Sequence, residues 1–436
     1  MLKRFVTDQL QQWKLRPDRK CLMVRGARQI GKTYAIEHFG KKAYASCITI
    51  NFLKNPSLKK IFAEDLDPKR LLMNISLYLP GEKLIRGDTL LFLDEIQECP
   101  EAITSLKFWN EEPDFDVIAS GSMLGIDYKR PKSFPVGALE YIDMHSLSFE
   151  DFLWAFQVND DILELLRNAF NTRTAVPFAI HDRMMQLLRL YSVLGGMPEV
   201  LTKFLETDNL QAADEKQRAI LQDYRYDIAH YANADIKIKA EKCYFSLPEQ
   251  LSKDNHKFQF STVEKGGTAR KYGSSLDWLE GAYMITRVPN LNSYDLPLRS
   301  SENAQSFRVY ATDIGLFLAM FDTSVKERIL YPEKTDQAHF KKGGLYEALV
   351  ADLLIKNGHK ELFFRKDEAS TFEIEFLMEG ADGAIPIEVK STNSRSKSLD
   401  HLLERPEIPY GYKLIDGNAG QMGKKITLPL YMGMFL

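Results

Sequence analysis

Residues 26–33 read Gly26-Ala27-Arg28-Gln29-Ile30-Gly31-Lys32-Thr33, an ungapped match to GxxxxGK[ST], and their reading decides the first part of the fold. The pattern is that of a phosphate-binding loop. Its glycines let backbone N–H groups turn inward on an anion, and a helix starting at Lys32 adds its positive end. Lys32 is expected to reach the β- and γ-phosphates, and the Thr33 hydroxyl to coordinate Mg²⁺. Context agrees with the motif: the apolar run Leu22-Met23-Val24 predicts a strand before the loop, and a helix ending near Gly40 is predicted after it. Inside the loop, Arg28 and Gln29 either touch phosphate or line its outer face.

A second element lies further along the chain, where Leu90-Leu-Phe-Leu-Asp94-Glu95 predicts a buried strand ending in two carboxylates. An aspartate at such a tip holds Mg²⁺, and a glutamate beside it polarises water. The catalytic set is therefore Lys32, Asp94 and Glu95, with Thr33 and Asp94 as metal residues, ATP or GTP as ligand and hydrolysis as the reaction. Val117-Ile-Ala-Ser120-Gly-Ser122 ends another strand. Ligands of parallel sheets lie beyond the carboxyl ends of strands, so Ser120 or Ser122 is a candidate γ-phosphate contact, with a simple turn as the competing reading. Predicted strands at Cys21–Val24, Ile48–Phe52, Leu90–Leu93 and Val117–Ala119, separated by helix-length segments, imply βαβ units and a parallel sheet.

Outward from this core, 436 residues are too many for one hydrophobic core. A net charge of −3 provides no global basic field, so any nucleic-acid contact must come from a local patch. Cys21, Cys47, Cys99 and Cys243 are far apart and form no CxxC pair, which argues against a zinc site or a disulfide framework. Leu2, Phe5, Val6, Leu10 and Trp13 recur at helical spacing, unlike a secretory signal. No stretch approaches the roughly 18 apolar residues of a membrane span. The expectation is a cytoplasmic protein with no membrane partner.

The chain divides into an α/β core at 1–150, a helical lid at 151–240, a small module at 241–300 and a second α/β domain at 301–436. Helices are predicted at Arg183–Leu194 and Ala212–Tyr231. In the small module, Leu247–Leu251, Phe260–Val263, Thr268–Leu279 and the strand Tyr283–Val288 suggest a winged helix. The 268–279 helix carries Arg270, Lys271, Tyr272, Ser274 and Ser275, all able to contact phosphate or bases of DNA or RNA. The alternative is that this module only packs the larger domains together. In the last region a helix is predicted at Leu345–Lys356, strands at Leu362–Arg365, Phe372–Met378, Ile385–Val389 and Tyr412–Ile415, and a polar loop at Asn393–Ser398.

These motifs add up to a resemblance that runs end to end. The loop at 26–33, Leu90–Gln97, Ser120–Ser122 and Ser146-Leu-Ser-Phe-Glu-Asp-Phe152 resemble a prokaryotic branch of the AAA-type P-loop ATPases. So do Gly195-Gly-Met-Pro-Glu199, Val309-Tyr-Ala-Thr-Asp313-Ile-Gly315-Leu316, Gly344-Leu-Tyr-Glu347, Ile385-Pro-Ile-Glu388-Val-Lys390 and Leu428-Pro-Leu-Tyr431. The resemblance implies an AAA module followed by a C-terminal region of undefined role that ends in a restriction-endonuclease-like fold. It makes Asp94 the Walker B aspartate and Glu95 the catalytic glutamate, and by analogy with ring-forming modules it allows a homo-oligomer. One departure stands out: Ala138 follows Val136-Gly137 where a basic residue is expected. If relatives use that side chain as an arginine finger, Arg130 and Arg225 are unranked substitutes.

Near the C-terminus, Phe372-Glu373-Ile374-Glu375-Phe376 alternates, placing Glu373 and Glu375 on one strand face, and Ile387-Glu388-Val389-Lys390 does the same for Glu388 and Lys390. This resembles the PD-(D/E)xK nuclease arrangement, in which Glu347 matches an upstream acidic position and Glu347, Glu375 and Glu388, with Lys390, would hold a second metal. Glu375 replaces the usual aspartate, and a displacement of about 1 Å can cost roughly a hundredfold in rate. Three readings stay open: a metal-dependent nuclease, a nuclease fold retained for binding, and a solvated charged face. The expected function is an Mg²⁺-dependent ATPase coupled to a nucleic-acid-directed nuclease-like domain. The alternative is an ATP-dependent conformational switch whose nuclease-like domain is inactive and binds protein or nucleic acid. A peptide-remodelling chaperone ranks last, for lack of a pore-loop signature.

Overall fold

The computed structural model describes residues 2–121, 135, 137–253, 255–333, 343–367, 372–390 and 394–436. They fall into two compact units, Met1–Ser146 with Gly281–Tyr283, and Leu147–Glu280 with Met284–Leu436. Ser122, Arg130, Val136 and Asn393 lie outside the described residues.

In the first unit the helix Phe5–Leu15 buries Val6, Leu10 and Trp13, the residues at helical spacing, and leaves Phe5 exposed. Five parallel strands follow: β1 (Cys21–Arg25), β2 (Ser46–Asn51), β3 (Thr89–Asp94), β4 (Phe115–Gly121) and β5 (Leu139–Asp143), in the order β2-β3-β4-β1-β5. Leu90 to Leu93 are wholly buried, as a central strand covered on both faces requires. Because β4 returns to lie between β3 and β1, the carboxyl ends of these three strands stand side by side. The predicted strands match β1 to β4 within two residues or so. β5 has no strand signal in its sequence because it is an edge strand, and only Leu139 is buried.

The second unit begins with a capping box, in which Ser148 and Asp151 satisfy each other's backbone N–H groups and start the helix Phe149–Ala155. Helices Asp160–Thr172, Phe178–Leu194, Pro198–Thr207, Leu210–Tyr231 and Ala234–Phe245 follow and contain the two predicted helices. At the turn after Leu194, Gly195 has φ +71°, and a Cβ there would lie 2.7 Å from the Gly315 Cα. Asp313 accepts from the Gly196 N–H at 2.8 Å and caps its own helix at the Leu316 N–H at 3.0 Å. The Gly-Gly-Met-Pro and Thr-Asp-Ile-Gly motifs are thus two halves of one backbone contact. Beside it, Lys356 pairs with Asp352 at 2.8 Å and Asp313 at 3.2 Å, and Tyr191 donates to Asp352 at 2.6 Å. This buried network ties the helix Gly343–Lys356 to the helix Phe178–Leu194.

The unit's sheet has eight strands: β6 (Ile285–Leu291), β7 (Glu302–Ala311), β8 (Phe363–Lys366), β9 (Glu373–Gly380), β10 (Gly383–Val389), β11 (Gly411–Ile415), β12 (Gly420–Met422) and β13 (Lys425–Pro429). Their order is β12-β13-β11-β10-β9-β8-β6-β7. β6 overlaps the predicted strand Tyr283–Val288 and pairs antiparallel with β7, and it is joined to β8 at Asn290↔Phe364. The helix Ala269–Gly281 corrects part of the nucleic-acid expectation. Tyr272 and Ser275 sit on its buried face with Leu276 and Leu279, so neither is available to a ligand. Arg270, Lys271 and Ser274 face outward, but Lys271 is held by Glu264 at 2.5 Å. The physical reason is the helical repeat, which gathers residues three and four apart on one side.

Candidate functional site

β1 delivers the chain into the 26–31 loop, and the helix Lys32–Ala43 carries it away. Gly26 has φ +148°, and a Cβ there would lie 2.1 Å from the Met144 carbonyl oxygen, so only glycine fits. Gln29 at φ +62° and Gly31 at φ +85° give the alternating handedness that curls successive N–H groups around an anion. The loop is braced from behind by Arg4, which donates to the Ile30 carbonyl at 2.6 Å and the His145 carbonyl at 2.8 Å. Nothing in a lone arginine near the N-terminus signals that contact in the sequence.

Lys32 is buried and its ammonium donates to the Gly26 and Ala27 carbonyls at 2.9 and 2.6 Å. Burial pushes its pKa down to about 8, against the opposing pull of Glu95 and Asp94. Asp94, at the tip of β3, is held by three donors. Ser120 Oγ donates to Oδ1 at 2.5 Å, and Oδ2 accepts from Asn51 Nδ2 at 2.7 Å and from Thr33 Oγ1 at 3.0 Å. The sequence-predicted residues Lys32, Thr33, Asp94, Glu95 and Ser120 are therefore neighbours. Asn51 was missed. It ends β2 directly opposite Asp94 in the ladder, and its own Oδ1 accepts from the Leu53 and Lys54 N–H groups, so it looks like a turn residue in the sequence. Glu95 leaves the strand in a left-handed conformation, φ +53°, and accepts from Gln97 at 2.5 Å. Arg225 belongs to the other unit, where it pairs with Glu241 at 3.4 Å and stacks over Phe245.

The C-terminal residues also come together. Lys390 bridges Glu375 at 3.2 Å and Glu388 at 3.3 Å, and Glu375 accepts from the Val389 N–H at 3.2 Å. Glu347 is engaged by Arg308 at 2.8 Å, His256 at 2.8 Å and the Tyr310 hydroxyl at 3.2 Å. Arg308 also pairs with Glu373, as does Lys366. Burial drives the Glu375 pKa up to about 7, with Lys390 opposing it. Glu347 is held below its usual pKa: burial raises it, but Arg308 and His256 outweigh that effect. Arg308, His256 and Tyr310 were not anticipated, since β7 and the 250s are remote in sequence from the acids. Among the described residues no group of three His, Cys, Asp or Glu side chains is arranged to hold a metal ion. The four cysteines are free thiols. Among the described residues no helix is long and apolar enough to cross a membrane.

Three family models match parts of the chain. Residues 18–153 match an AAA domain, and residues 185–327 and 342–431 match two domains of unknown function (DUF8612 and DUF4143). No curated protein matches. Among solved structures, the Walker-type ATPase PABY2304 of Pyrococcus abyssi aligns with 13% identity, TM-score 0.42, over 73% of this chain and 96% of its own. AMPPCP-bound DnaA from Aquifex aeolicus aligns with 10% identity, TM-score 0.29, over 63% and 86%. The Aeropyrum pernix Orc1 protein in complex with DNA aligns with 10% identity, TM-score 0.27, over 76% and 91%. The AAA-domain match supports an AAA-type ATPase, and it spans both the 26–33 loop and Asp94.

Proposed function

We propose that the chain binds and hydrolyses ATP with Mg²⁺ and uses the nucleotide state to govern a C-terminal module that binds nucleic acid. The observation that carries this reading is the three-donor clamp on Asp94 beside the Lys32 loop. The residues fit the group they would hold. Asp94 and Thr33 offer hard oxygen donors, and one carboxylate plus a hydroxyl leaves the rest of the coordination to phosphate and water, as Mg²⁺ prefers. When bound, Mg²⁺ supplies charge neutralisation at the phosphate oxygens. Lys32 exchanges its two loop carbonyls for phosphate oxygens, Ser120 and Asn51 keep Asp94 oriented, and Glu95 accepts the proton of the attacking water.

In this reading 1–150 is the ATPase core, 151–240 a helical lid, 241–300 a winged-helix-like module and 301–436 a restriction-endonuclease-like domain. The exposed Arg270 favours a phosphate-backbone contact. The switch version is preferred over cleavage because Arg308 and Lys390 already engage the carboxylates that a nuclease would offer to metal. ATP turnover with double-stranded DNA, single-stranded DNA and structured RNA tests the coupling, with Lys32→Ala as the inactive control. Stimulation by at least one of them is expected. Equal rates with all three and with none would remove the nucleic-acid half of the proposal.

A further inference from the structure

The acidic cluster of the second unit carries its own cation. Arg308 reaches it from β7, fully buried, with its guanidinium 4.4 Å from the Phe364 ring centroid. One nitrogen donates to Glu347 Oε2 at 2.8 Å and lies 3.5 Å from the Glu375 carbonyl oxygen, and the other pairs with Glu373. Four carboxylates, Glu347, Glu373, Glu375 and Glu388, thus meet the fixed cations Arg308, Lys366 and Lys390, and Glu347 also accepts from His256 and Tyr310. The approach of His256 depends on backbone contact: a Cβ on Gly344 would lie 2.0 Å from the Leu251 carbonyl oxygen, so glycine lets the helix Gly343–Lys356 bring Glu347 against that segment.

One acceptor is left over. Glu388 is 2% exposed, and its Oε2 has no hydrogen-bond partner although its Oε1 is 3.3 Å from Lys390. A buried carboxylate oxygen without a partner retains affinity for a cation. A divalent ion entering beside it would meet Lys390, and one shared with Glu347 would also meet Arg308, with little solvent to screen the repulsion. The oxygens of Glu347, which would have to join the coordination, are already taken by Arg308, His256 and Tyr310.

We propose that Arg308 is the resident cation of this cluster, standing in for a divalent metal and excluding it, so that a latent Mg²⁺ or Mn²⁺ site built on Glu347, Glu375 and Glu388 appears only when Arg308 is removed. The inference rests on the switch reading given above and extends it, since it states why the acids are kept in a form that binds no metal. Turnover at the Lys32 site is independent of this cluster's metal content, and the Lys32→Ala control reads it separately.

The test is Mn²⁺ titration of the full-length, nucleotide-free protein, followed by calorimetry and by the electron paramagnetic signal of free Mn²⁺. Wild type is expected to show no Mn²⁺ uptake that Glu388→Gln removes. Arg308→Met is expected to gain one site at least tenfold tighter than any in wild type, lost again in the Arg308→Met, Glu388→Gln double variant. The proposal is overturned if wild type takes up Mn²⁺ at a site that Glu388→Gln abolishes. It is equally overturned if a folded Arg308→Met, with wild-type circular dichroism, binds no more Mn²⁺ than wild type. Should Arg308→Met fail to fold, the comparison of wild type with Glu388→Gln still decides.

Discussion

The Ser120 hydroxyl on β4 donates to the Asp94 carboxylate on β3 at 2.5 Å, while Asn51 on β2 takes the other oxygen at 2.7 Å. Three elements of one sheet thereby fix the rotation of a carboxylate that is 2% exposed. Such supporting bonds matter because a metal ligand free to rotate must be ordered each time the metal binds. Asn51→Ala is expected to raise the Mg²⁺ concentration needed for half-maximal ATP turnover by about 10- to 100-fold, the usual effect of losing an outer partner. A Mg²⁺ titration of the ATPase rate reads it directly, and an unchanged midpoint would show that Asn51 only closes its turn.

Lys32 sets a pH dependence whose sign can be worked out. Its folded pKa is lowered by burial to about 8, and a bound triphosphate favours the protonated ammonium. Below pH 8 the free protein already carries the proton, so affinity for nucleotide is at its plateau. Above pH 8 the proton must be taken up on binding, and affinity should fall by up to about tenfold per pH unit. Calorimetry between pH 7 and pH 9 tests this, with Lys32→Ala binding negligibly throughout. A flat profile would mean that Lys32 is not the titrating partner of the phosphates.

Glu95 follows Asp94 with its backbone in the left-handed region and its carboxylate against Gln97. Glu95→Gln preserves shape and removes the base, so nucleotide binding should persist while turnover drops by about 100-fold or more, the lower end for loss of a general base. Single-turnover rates beside binding measurements separate the two effects. Wild-type turnover in this variant would assign water activation elsewhere.

In the second unit, Lys356 is 1% exposed at its side chain between Asp352 and Asp313. Lys356→Met leaves both carboxylates buried without their counter-ion, and breaking such a pair costs about 3–5 kcal/mol. Denaturant unfolding should register that loss, whereas ATP binding by the other unit should survive it. A loss below about 1 kcal/mol would mean that the network relaxes or takes in water.

The nucleotide motif was legible in the sequence because its logic is local. Gly26, Gly31, Lys32 and Thr33 act through their own backbone and the helix they start, and Asp94-Glu95 ends an apolar run that can only be a buried strand. The strands β1 to β4 and the helices of residues 149–245 are also written in local periodicity. The acids Glu347, Glu375 and Glu388 were likewise visible from alternation and motif. What each of these groups touches was not legible. Asn51 reaches Asp94 because β2 lies beside β3 in register, and Arg308 reaches Glu347 because β7 and the helix Gly343–Lys356 pack together. Tyr272 and Ser275, read as ligand contacts from their chemistry, turned inward because the apolar face of their helix claimed them. Sequence fixes which groups are present and the local backbone that bears them. Only tertiary packing decides which charges meet out of water, and that meeting separates an acid ready for metal from one already neutralised by an arginine.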